Sequence, residues 1–311
     1  MAIIEVEGLV KEYGGRNVVD GITFSVDEWE IFGIVGPNGA GKTTTVESVI
    51  GLRRPDAGSI DVLGLDPIAD RFQLTEQVGA QLQESRLQDK IRVGEAMAMY
   101  ASFYQQPRDW RQLLDLLGIE DKTNTRYKDL SGGQKQRLSV ALALVGSPRI
   151  AVLDELTTGL DPQARRSTWD IIEQIRDDGV TVVLVTHFME EADRLCDRIM
   201  VVDHGRVAAI GSPAELIEEV GGDQLLRFRP SEPIADAEFE QLAEVDGVEH
   251  QGSSVVITGH GEVVHAVTSL LARRRVIAYE FRVDQTGLED AYLEITADAD
   301  YQEDRVEREA S

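Results

Sequence analysis

The run Gly36-Pro37-Asn38-Gly39-Ala40-Gly41-Lys42-Thr43 fits the pattern G-x-x-x-x-G-K-[ST], between an apolar strand, Ile31 to Val35, and a helical stretch from Thr43 to Gly51. No other feature restricts the fold as much. The glycines let the backbone curl so that successive N–H groups face one anion at the positive end of the following helix. Lys42 places charge between a β- and a γ-phosphate, and Thr43 offers a hydroxyl to Mg2+. A strand, such a loop and a helix in succession predict one layer of a parallel sheet.

The partner carboxylates are expected at the end of Ile150-Ala151-Val152-Leu153-Asp154-Glu155, an apolar strand closed by two acids. Period-two alternation would point them in opposite directions. Asp154 would then hold the magnesium ion through its water shell, leaving Glu155 to orient or deprotonate a water attacking the γ-phosphate.

Apolar strands alternate with helices around these motifs. Helices are predicted over Gly133 to Val145, Pro162 to Asp177 and up to Cys196; strands are predicted over Val180 to Val185 and Ile199 to Val202. That alternation implies a parallel sheet covered on both faces. Val93, Ala96, Met97, Tyr100, Phe103 and Tyr104 fall at helical spacing inside a helical insertion, residues 84–128, and read as core packing. Beyond Gly221-Gly222 the pattern is strand (Leu225 to Phe228), helix (Ala235 to Val245), two strands (Val248 to His250, Val255 to Ile257), helix (Val263 to Leu271) and strand (Val276 to Val283). This β-α-β-β-α-β order is ferredoxin-like.

The net charge of −25 repels nucleic-acid backbones and anionic lipid headgroups, so neither is an expected partner. Arginine outnumbers lysine, 25 to six, and an acidic, lysine-poor surface suits a high-salt medium, the alternative being a GC-rich genome, which by itself favours arginine over lysine. One cysteine, Cys196, allows no intrachain disulfide. The longest apolar runs are far short of a membrane span, so the expectation is a soluble, untargeted chain.

The segment Leu130-Ser131-Gly132-Gly133-Gln134 narrows the class further. With Ser131 and two glycines opening a helix, it is a second anion-seeking surface. It lies between the phosphate loop and Asp154, and it resembles the signature sequence of ABC ATPases. The fold implied is α/β: a P-loop NTPase core of the ABC ATPase type with an antiparallel β subdomain and the helical insertion, spanning residues 2–220. A ferredoxin-like α+β accessory domain (223–296) and an acidic tail (297–311), expected to be disordered, complete the chain.

The resemblance also implies residue roles. ATP would be bound by Tyr13, which is similar to the aromatic that stacks on adenine, by Gly36, Pro37, Asn38, Gly39, Ala40, Gly41, Lys42, Thr43 and Thr44, and by Gln83; Gln81 is the weaker candidate for that last position. Thr43, Gln83 and Asp154 would serve Mg2+; Glu155 and His187 would be catalytic. Ser131, Gly132, Gly133 and Gln134 would reach ATP in trans, across a head-to-tail homodimer whose interface includes Asp161 of Gly159-Leu160-Asp161. A separate integral membrane permease would place the protein on the inner, cytoplasmic face of the cell membrane. Where most of the family has proline after the glutamate, this chain has Leu156.

Thr186-His187-Phe188-Met189-Glu190-Glu191-Ala192, Cys196-Asp197-Arg198 and the ending Gly287-Leu288-Glu289-Asp290-Ala291-Tyr292-Leu293 are similar to the daunorubicin-resistance type exporter ATPases, which implies multidrug or lipid export. An ABC protein acting on ribosomes or DNA, which would carry a second cassette or a basic patch, and an importer subunit are the competing expectations.

Overall fold

The computed structural model describes residues 1–82, 87–220, 224–285 and 287–297. Gln83, Gly221-Gly222 and the tail from residue 298 lie outside the described residues. The chain forms two compact units that divide between Pro213 and Ala214.

In the first unit the elements run β1 (Ala2–Tyr13), β2 (Arg16–Asp27), β3 (Ile31–Val35), α1 (Lys42–Val49), β4 (Ala57–Val62), α2 (Arg71–Thr75), β5 (Val78–Gln81), α3 (Val93–Ala101) and α4 (Trp110–Leu116). They continue with α5 (Gly132–Leu144), β6 (Ile150–Asp154), α6 (Pro162–Asp177), β7 (Thr181–Thr186), α7 (Met189–Leu195), β8 (Arg198–Asp203) and β9 (Arg206–Gly211); α8 (Pro213–Glu219), which starts at the division, belongs to the second unit. Gly14 and Gly15, both at positive φ, close the β1–β2 hairpin, as a two-residue turn between twisted strands requires. β4 joins the free edge of β1, giving an antiparallel sheet β2-β1-β4.

The larger sheet has the order β5-β6-β7-β3-β8-β9 and is parallel except for β9. β3, β6 and β7 are buried along their whole length, the pattern of strands covered on both faces. One face packs on the smaller sheet: Phe24 stacks on Phe32 with ring centroids 5.5 Å apart, within a core that also holds Leu9, Ile22, Ile34 and Val46. Truncating a ring such as Phe32 to alanine would cost about 3–5 kcal/mol, because the sheets could close only part of the void.

In the insertion, Val93, Ala96 and Met97 are buried with Leu113, Leu114 and Leu117. The rest of the expected stripe behaves differently. α3 stops at Ala101, so helical spacing no longer directs the residues beyond it; Tyr104 is half-buried and Phe103 is 65% exposed.

The second unit, described by itself, has β10 (Gln224–Pro230), α9 (Asp236–Phe239), β11 (Val245–Gln251), β12 (Ser254–Gly259), α10 (Val263–Arg274) and β13 (Ala278–Gln285). Its antiparallel sheet has the order β11-β12-β10-β13, and Leu226, Phe228, Phe239, Ile257 and Val267 share its core. The helix expected over Ala235 to Val245 is one turn long. Past Phe239 the chain turns instead, with Leu242 N donating to the Phe239 carbonyl at 2.9 Å and Val245 N to that of Leu242 at 3.2 Å, and Val245 alone of the expected helix joins β11, opposite Gly259. A further helix spans 288–297.

Candidate functional site

Strand register assembles the site. Val35 at the end of β3 pairs with Thr186 at the end of β7, and Asp154 at the end of β6 pairs with Val185. The phosphate loop, the Asp154-Glu155 pair and His187 therefore leave neighbouring strands at one edge, the carboxyl end, where open parallel sheets place their ligands.

Backbone crowding explains two of the loop's glycines, and a left-handed φ of 87° the third, Gly39. A Cβ on Gly36 would stand 2.1 Å from the Val202 carbonyl oxygen, and one on Gly41 (φ 101°) 2.5 Å from that of Val18. Lys42 Nζ donates to the carbonyls of Gly36 at 2.8 Å and Pro37 at 2.9 Å. Burial pulls its pKa down, and the carboxylates of Glu155 and Asp154 oppose that shift. A cavity of about 360 Å3 opens beside the loop, lined by Arg16, Asn17, Val18, Asn38, Ala40 and His204 among others.

Asp154 accepts from Thr43 Oγ1 through Oδ2 at 3.5 Å, while its buried Oδ1 has no hydrogen-bond partner. Burial first, and the neighbouring Glu155 second, push its pKa up to about 6, against the opposing effects of Lys42 and Thr43. A buried carboxylate oxygen without a donor, next to a hydroxyl, fits a divalent cation. Among the described residues no cluster of three His, Cys, Asp or Glu could hold a metal, so phosphate and water oxygens would supply the rest of its shell.

Glu155 lies just past β6, in the left-handed region at φ 48°, with its N–H donated to the Val185 carbonyl at 2.9 Å. A left-handed turn, rather than the strand alternation expected from sequence, therefore sets where its side chain goes. Its Oε1 is 3.4 Å from His187 Nδ1. Leu156, in the proline position, is fully buried.

Ser131 caps α5: its Oγ accepts from Gln134 N at 3.3 Å, and Gln134 Oε1 accepts from Ser131 N at 3.0 Å. Gly133 faces Leu160 and Ala164, whereas Gly41 and Gly36 of the phosphate loop press on Val18 and Val202. The two anion-seeking surfaces are thus built against different elements of the chain. Asp161 caps α6, accepting from Gln163 N and Ala164 N at 3.0 Å each.

Tyr13 is partly exposed, and its hydroxyl accepts from Arg53 Nη1 at 2.7 Å; Arg53 in turn pairs with Glu47 on α1. Sequence reading did not find Arg53, which no motif marks. Nor does any motif mark Gly205, which lines the cavity and where a Cβ would lie 2.7 Å from the Val18 carbonyl oxygen. Gln81 is buried with Oε1 unpartnered, at the end of β5.

A family profile described as ABC transporter matches residues 19–158. The Nod factor export ATP-binding protein I of Ralstonia nicotianae is 36% identical over 302 residues, covering 94% of either chain. The protein of the same name from Paraburkholderia xenovorans is 38% identical, covering 95% of this chain and 97% of its own. This chain belongs to the ABC transporter ATP-binding protein family.

Solved ABC structures agree. An ATP-binding subunit of an ABC transporter, 27% identical, superposes with a TM-score of 0.65 over 70% of this chain and 93% of its own. CbiO1 from Clostridium perfringens, part of the ABC transporter complex CbiONQ, is 28% identical with a TM-score of 0.64, covering 70% and 92%. This ABC subunit is an ATP-binding ATPase with the P-loop NTPase fold.

Proposed function

We propose that this ABC ATPase energises export through a separate membrane permease, working as a head-to-tail homodimer with MgATP at each of two shared sites. The observation that supports it most is the register that sets Lys42, Asp154, Glu155 and His187 on adjoining strand ends.

In this reading the phosphate-loop amides and Lys42 bind the β- and γ-phosphates, with Pro37, Ala40 and Thr44 as part of the cradle. The adenine stacks on Tyr13, held by Arg53. Glu155 takes a proton from the attacking water as that water bonds to the γ-phosphorus and the bond to the ADP oxygen breaks, giving ADP and inorganic phosphate. His187, with Nδ1 turned to Glu155, has Nε2 for the γ-phosphate. Thr43 and Asp154, with Gln83, would hold Mg2+, which neutralises charge on the phosphate oxygens. Ser131, Gly132, Gly133 and Gln134 complete the site of the partner subunit.

For the permease, Phe72 at 79% exposure, Phe103 at 65% and Met99 at 42% offer an apolar surface. The segments carrying them are tied together where Gln105 N donates to Glu76 at 3.4 Å. Exposed apolar area of this kind fits a protein contact. No helix among the described residues is long and apolar enough to cross a membrane, so the path across belongs to another chain in this reading. Export, rather than import, is supported by the relatives, which are Nod factor export proteins by name. The ending at 287–293 and the ferredoxin-like second unit fit the accessory domain of daunorubicin-resistance type exporters, and the subunit would sit on the cytoplasmic membrane face.

Purification from its native membrane tests this. A multispanning partner whose vesicles move substrate outward on ATP addition is expected; ribosomes, DNA or a solute-binding protein in its place would overturn it.

A further inference from the structure

α6 and α7 meet along a ladder of contacts that runs from the Asp161 loop to His187. At the first rung the Arg165 guanidinium lies over the Phe188 ring at 4.6 Å, and that ring is 4.1 Å from the His187 ring. One turn farther along α6, Trp169 Nε1 donates to Glu191 Oε1 at 3.0 Å, both side chains being buried. Beyond it Arg194 donates to Asp170 at 3.1 Å and covers the Trp169 ring at 5.5 Å.

The first two rungs are expensive as packing. Glu191 has no solvent exposure, and its Oε2 lacks a hydrogen-bond partner. Arg165 Nε is likewise buried and unpartnered, and Nη1 stands 3.7 Å from Glu190. An apolar side chain of similar shape would serve cohesion better at either place. What these groups supply instead is direction: an indole N–H fixed to one carboxylate oxygen, and a planar cation fixed to one ring face.

We propose that Arg165, Trp169 and Glu191 are positioning residues that lock the helix beginning at Asp161 to the helix following His187. The imidazole is thereby held beside Glu155 and moves only together with the Asp161 loop. This rests on the reading of Glu155 and His187 given above. The chain of contacts is continuous, from Glu155 to His187 at 3.4 Å, to Phe188, to Arg165, which stands one turn into α6 from its Asp161 cap. A ring held in this way keeps its orientation when the Asp161 loop meets a partner subunit, which fixes reacting groups before the chemical step.

The test is steady-state ATPase kinetics of the full chain with R165A, W169F, E191A, E191Q, H187A and the double variant R165A/H187A. R165A and W169F are expected to lower kcat about tenfold while KM for ATP stays within about twofold. E191Q keeps a carbonyl acceptor for the indole and should keep kcat within about threefold of wild type, where E191A does not. R165A/H187A should be no slower than H187A alone, since a residue acting through His187 has nothing to add once the imidazole is gone. Losses that multiply in the double variant, or wild-type kcat in R165A, overturn the positioning role while leaving the site intact. Wild-type turnover in H187A overturns the reading of the site itself. If W169F or E191A does not fold, the partly exposed Arg165 carries the test.

Discussion

His187 Nδ1 stands 3.4 Å from Glu155 Oε1, and Glu155 is held there by a left-handed backbone turn rather than by the strand before it. The imidazole and the carboxylate leave different strands, β7 and β6, and meet because those strands pair. Any change to one residue is therefore read through the other.

Replacing Glu155 by glutamine keeps shape and hydrogen-bonding capacity and removes the base. Turnover should fall by at least about a hundredfold, with ATP still bound and a dimer accumulating. ATPase assay and gel filtration with ATP check both. A variant that hydrolysed ATP at the wild-type rate would remove Glu155 from the catalytic role.

Lys42 holds two loop carbonyls as well as facing the two acids. Lys42→Ala should weaken nucleotide binding itself by about tenfold or more, through loss of charge-assisted bonds to phosphate. Equilibrium titration with a fluorescent ATP analogue measures this, and unchanged affinity would contradict the assignment.

Asp154 gives a pH signature. Its folded pKa, near 6, is above the ordinary carboxylate value, so between about pH 4 and 6 the folded protein binds more protons than the unfolded chain. The sign follows: stability of the nucleotide-free protein falls as pH rises through that window, by at most about 3 kcal/mol from this group. Asp154→Asn should flatten the trend and raise Tm at pH 7 in the absence of nucleotide, while abolishing Mg2+-dependent hydrolysis. Thermal unfolding from pH 4 to 7 checks it; a mutant with the wild-type slope would show that another group titrates.

The motifs were legible because each is local. The phosphate loop needs glycines at fixed offsets, and the Ser131 cap needs only Gln134, three residues on. What joins them was not. The pairing of Asp154 with Val185 depends on strand order, and Glu155's turn depends on a hydrogen bond to β7, neither of which has a signature in adjacent residues. Arg53, Trp169 and Glu191 escaped for the same reason, since their partners are distant in sequence. In the second unit, turn bonds at Leu242 and Val245 end an expected helix after one turn, and no residue type nearby announces them.

Phe72 and Phe103 are expected to separate docking from folding. Both are too exposed to contribute much to stability, so Phe72→Ser and Phe103→Ser should each shift unfolding by less than about 0.5 kcal/mol and leave the soluble ATPase rate unchanged. The double change should nevertheless release the subunit from its membrane partner, because an interface loses most of its affinity when exposed aromatic anchors go. Co-purification from membranes, run beside thermal unfolding, distinguishes the outcomes. A doubly substituted chain that still purified with its partner would place the contact elsewhere on the surface, and one that unfolded early would show that these rings belong to the core after all.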